Sequence, residues 1–149
     1  RSTLFPYTTL FRSLADILYG SALDVYLREE LILQSLLGAV ETTPSLWVCS
    51  EGDLLAPLKA AGKGRAIFLA PSAHAPLEAA GAVEPTGEAE VLLIQADSVS
   101  APLRASFSPG TRPDEIRQVV SLLVEAARTM ELLEPFGRIE KALLSLKEE

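Results

Sequence analysis

The sequence predicts an α/β fold: a mixed four- to five-stranded sheet containing a parallel β-α-β unit and a β-hairpin, with covering helices. Three observations carry this expectation. Leu46-Trp47-Val48-Cys49 and Ala66-Ile67-Phe68-Leu69-Ala70 are short, wholly apolar runs on either side of one helical segment. Such runs, bounded by turn formers, read as strands buried on both faces, and a helical crossover between them makes them parallel. Further along, the apolar stretch Glu90 to Ala96 and the alternating Leu103 to Phe107 are joined by a link short enough for an antiparallel hairpin. Finally, Ile116, Val119, Val120, Leu123, Ala127 and Met130 recur at helical spacing, a stripe suited to lie on a sheet.

Each element has its own local reason. Ala22 to Leu37 lacks Gly and Pro and is rich in Leu and Glu. Asp24 stands four residues before Arg28, and Gly38 lies where a helix C-cap is expected, so this segment reads as a helix. Its apolar residues spread around most of the circumference, which calls for cover on more than one side. With Asp53 as N-cap of the crossover helix, Pro57 falls in the first turn, where its missing N–H costs little, and Gly62 ends the helix. Pro71 to Gly87 is a long connection rich in Ala, Pro and Gly, with room for one helical turn at Ala75 to Ala80. Pro102 suggests that the strand after it lies at the sheet edge. Thr111-Arg112-Pro113-Asp114 matches a capping box with Asp in place of Glu. After Pro135, Phe136 to Leu146 reads as a last helix with Phe136, Ile139, Leu143 and Leu146 inward.

Thr3 to Ser13, TLFPYTTLFRS, resembles the in-frame translation of a sequencing-adapter oligonucleotide. The resemblance implies that residues 1–13 are not native. Residues 14–149 are then expected to form a single α/β domain at the C-terminal part of a larger bacterial-type protein. Leu14 to Tyr19 fits either a short strand or the first turn of the following helix. Arg1 and Arg12 are two of the 13 basic residues, so residues 14–149 hold 11 basic against 20 acidic side chains, a formal −9. That balance repels phosphate backbones and anionic lipid, and Lys59, Lys63 and Arg65 beside Glu51 and Asp53 make no basic patch. Neither a nucleic-acid partner nor a membrane is expected. No run approaches the roughly 18–20 apolar residues of a membrane helix. A lone Cys excludes an internal disulfide and suits a reducing, cytoplasmic setting.

Candidate chemistry is sparse. Cys49 ends the first strand of the β-α-β unit and His74 follows the second, so both belong to the carboxyl edge of the sheet, where open α/β folds bind ligands. Cys49 as nucleophile, His74 as base and Glu51 or Ser50 as orienting group form one possible site. Glu51 and Asp53 oppose ionisation of the thiol, and the plainer reading is a packed Cys and a solvent-facing His. No zinc set, GxxxxGK[ST] loop or GxSxG elbow occurs; Gly62-Lys63-Gly64 follows a helix and precedes a strand, the reverse of a phosphate loop. Tyr19-Gly20-Ser21 resembles the Gly-Ser opening of minimal nucleotidyltransferases, but the spaced acids beyond it are missing. No cofactor is expected. The leading expectation is a non-catalytic regulatory or protein-interaction module that meets a protein partner through the Ala22 to Leu37 helix. The alternative is a small-molecule-binding domain or enzyme using Cys49 and His74.

Overall fold

A computed structural model describes residues 20–148, which divide between Thr43 and Pro44 into two compact units. The adapter-like segment and Leu14 to Tyr19 lie outside the described residues.

The first unit contributes one continuous helical run. Helix α1, Ser21–Val25, passes into a π-helical stretch, Tyr26–Leu33, and then into α2, Gln34–Ala39. The run covers the expected Ala22 to Leu37 and goes further. Gly38 lies inside α2 instead of capping it, and the helix stops where Val40 takes an extended conformation (φ −82, ψ 111). Leu33 and Leu37, four residues apart, are buried, whereas Tyr26, Leu31, Ile32 and Leu36 are exposed.

The second unit, Pro44–Glu149, holds the sheet. Strand β1, Leu46–Cys49, runs parallel to β2, Arg65–Ala70, with Val48 opposite Ile67, so the β-α-β unit is present. A 3-10 turn at Gly52–Leu54 opens the crossover into α3, Leu55–Ala60. Asp53 lies within that turn and is not the N-cap. The Leu54 N–H already donates to the Glu51 carbonyl (3.3 Å), and no side chain caps α3. Pro57 falls in the first turn, as expected. The return to β2 passes through Gly64 at φ +123, a conformation that favours glycine, and an added Cβ would also stand a tight 3.3 Å from the Pro44 carbonyl oxygen.

The remaining strands are β3, Val83–Pro85, β4, Val91–Ile94, and β5, Leu103–Ser106. β4 and β5 pair antiparallel with Leu92 opposite Ala105, the predicted hairpin. β4 starts one residue later than Glu90, which is held at φ 61 as part of the turn. The sheet order is β1-β2-β5-β4-β3, which corrects the expectation of an edge position for the strand after Pro102. β5 is the central strand and not an edge, because Pro102 is buried just before it and removes no N–H from its ladder. The long connection holds no helical turn at Ala75 to Ala80; the Leu77 N–H donates to the Gln95 side-chain oxygen (2.7 Å), a tertiary bond in place of a helical one.

Helix α4, Pro113–Ala127, covers one face of the sheet. Ile67 and Leu69 of β2, Ile94 of β4, Ala105 and Phe107 meet Val119, Val120 and Leu123 in the core. Phe68 alternates with these residues and so points to the other face, where Gly52 lies against its ring. Phe68 is only half-buried, so the apolar run of β2 is fully covered on one face and not on both. The cap of α4 is shifted by one residue from Thr111: Arg112 is the N-cap, and its N–H donates to Glu115 Oε2 (3.4 Å). Arginine has no acceptor, so only half a capping box forms. The Thr111 hydroxyl donates instead to the Ser108 carbonyl (2.6 Å). Because α4 ends at Ala127, Met130 falls outside its stripe and is exposed.

Helix α5, Glu134–Lys147, corrects the expectation of an inward stripe. Phe136 is half-buried, but Ile139, Leu143 and Leu146 are exposed, Leu143 at 57%. Among the described residues, no helix is long and apolar enough to cross a membrane.

Candidate functional site

The parallel pair carries Cys49 at its carboxyl end, in register with Phe68. Cys49 is 5% exposed, and its thiol donates to the Ile67 carbonyl (3.3 Å). Burial pushes the thiol pKa up; backbone hydrogen bonding at Glu51 and Cys49 opposes this in part, and the Glu51 carboxylate adds to the rise. The sulfur is therefore held as a thiol whose proton already has an acceptor. Nucleophilic chemistry at neutral pH needs the opposite arrangement.

His74 lies four residues past β2 on the connection to β3 and is exposed. Its backbone N–H faces the Ser72 hydroxyl (3.4 Å), and its imidazole has no hydrogen bond to the Cys49 thiol, whose bond goes to the Ile67 carbonyl. Ser72 in turn donates to the Pro102 carbonyl, tying this connection to the start of β5. Ser50 and Glu51 are exposed beyond the strand end. The four residues thus share one edge of the sheet, while no hydrogen bond joins nucleophile to base. Among the described residues, no three His, Cys, Asp or Glu side chains gather where a metal ion could sit.

Two features were not singled out from the sequence. Gln95, just beyond β4, is 1% exposed. Its oxygen accepts the Leu77 N–H (2.7 Å), and its amide donates to the carbonyls of Asp97 (2.6 Å) and Ser100 (2.7 Å). It joins the connection before β3 to the β4–β5 hairpin loop. The signal was present, since Gln95 is the lone polar residue inside VLLIQA, but a strand end often carries one.

The second feature is a groove of about 710 Å³ between α4 and the β3 edge. Val83, Ile116, Val120 and Val124 form its apolar wall, while Arg117 of α4 and Arg128, just past its end, also line it. The sequence hides this groove, because a three-residue strand has no readable period and its place at the sheet edge depends on strand order.

No protein-family model, curated protein or solved structure matches the chain.

Proposed function

We propose that this chain is a regulatory or protein-interaction module that works by binding and not by catalysis. The observation that carries the reading is the helical run Ser21 to Ala39, which leaves Val25, Tyr26, Leu31, Ile32 and Leu36 exposed, Ile32 at 58%. Single exposed apolar residues are ordinary, whereas several large ones along one helix mark a surface that gains by being covered. The state of Cys49 favours the same reading, since its thiol is buried and its proton is already donated to a backbone carbonyl.

A photo-crosslinking amino acid placed at Ile32 or Leu36 tests this in native cells, with the exposed polar position Glu41 as control. A discrete protein adduct is expected from the first two positions and none from the control. Irradiation that yields no discrete adduct at Ile32 and Leu36 removes the basis of the reading.

A further inference from the structure

β3 is an outer strand of the sheet, and its pairing settles which of its backbone groups are already bonded. Gln95 N–H donates to the Ala82 carbonyl (2.9 Å), and the Gln95 carbonyl accepts from Gly81 N–H (2.7 Å). Val83 then stands opposite Ile94 and Glu84 opposite Leu93. With both Gln95 bonds made to the β3 side, residues 91 and 93 of β4 also face β3 and residues 92 and 94 face β5; just before β4 the Glu90 carbonyl accepts from Phe107 N–H, in the same phase. Glu84 therefore turns its N–H and C=O toward β4, while Val83 turns both away, and Pro85 turns its carbonyl away. The free edge offers one donor and two acceptors.

The same edge opens onto the groove under α4. The Val83 side chain, 39% exposed, continues the apolar wall of Ile116, Val120 and Val124. Arg117, Ser121, Glu125 and Arg128 follow along the helix at the rim. Among the described residues, neither Arg117 nor Arg128 makes an ion pair, and Glu125 is the one acid in this rim. In a chain of net charge −7, this is a local reversal of sign beside an open strand edge and an apolar slot. Strand addition uses these three components: main-chain bonds for affinity, a pocket for alternate side chains, and charge for selectivity. The shortness of β3 and the absence of an N–H at Pro85 blunt the edge against indiscriminate pairing. A partner must therefore also satisfy the slot and the arginines.

We propose that the β3–α4 groove binds an extended acidic segment of another protein by adding it as a strand beside β3. The segment's backbone bonds to Val83 and Pro85, an apolar side chain enters the slot against Val120 and Val124, and flanking carboxylates meet Arg117 and Arg128. This deepens the protein-interaction reading and rests on it, but it involves different residues from those tested by crosslinking at Ile32.

The test titrates the full chain into a fluorescein-labelled peptide, Thr-Glu-Thr-Val-Thr-Glu-Thr, and follows fluorescence polarisation. The acids and the valine of this peptide share one face of an extended strand. Saturable binding is expected. It should weaken by about tenfold or more in the exposed pair Arg117→Glu/Arg128→Glu, checked for unchanged circular dichroism, and also when the peptide backbone is N-methylated at its valine. The counterpart with Lys in place of Glu should not bind. Absence of saturable binding up to about 1 mM, equal binding of the lysine peptide, or indifference to either the charge reversal or the N-methylation overturns the proposal. Such a result alongside a discrete adduct at Ile32 defeats the groove alone; without an adduct, both readings fall.

Discussion

Gln95 shows how much one residue can decide. It uses three of the four hydrogen bonds its amide can make, and all three go to backbone in two separate loops. Gln95→Leu preserves the volume but strands the Leu77 N–H and the Asp97 and Ser100 carbonyls. A loss of about 2–4 kcal/mol in urea unfolding is expected, and an unchanged midpoint would refute the assignment. Cys49 makes the complementary case, in which burial silences a reactive group. Its raised pKa means that the folded chain keeps a proton which the unfolded chain releases first. Its contribution is therefore whole below the ordinary thiol range, near pH 8.5, and is lost as pH rises through the higher folded value. Urea midpoints of the native chain should fall more steeply above about pH 8.5 than those of Cys49→Val, and parallel pH profiles would contradict this. The position of Cys49 at the strand end was legible from sequence. Its solvation and its hydrogen bond were not, because they depend on the neighbouring strand.

At the scale of elements, α4 and α5 look alike in sequence, each with apolar residues at helical spacing after a proline-marked start. Of the two, α4 is the one whose stripe is buried against the sheet. Its Val119, Val120 and Leu123 are buried, while Ile139, Leu143 and Leu146 of α5 stand in solvent. Leu123→Ala is expected to cost about 2–5 kcal/mol. The triple change Ile139→Gln/Leu143→Gln/Leu146→Gln should cost less than about 0.5 kcal/mol, because no buried contact is lost. Thermal melts of the two variants check the contrast, and a large loss from the α5 triple would place that stripe in a core. Element boundaries moved for similar reasons. Gly38 remained helical because the chain turns extended only at Val40, and Asp53 was absorbed into a 3-10 turn, where the Leu54 N–H to Glu51 carbonyl bond took the role expected of its side chain.

For the molecule as a whole, amino-acid order alone determined the local periods: the two apolar strands and their parallel pairing, the β4–β5 hairpin, the α4 stripe and the acidic balance. These are properties of neighbours along the chain, where side-chain spacing and turn chemistry act directly. Tertiary structure decided that β5 enters the centre of the sheet, that β3 forms an open edge beside α4, and which apolar faces find cover. Those outcomes depend on contacts between segments far apart in sequence. A hydrophobic stripe specifies that burial is favourable, but not which surface supplies it, because apolar attraction has no direction of its own.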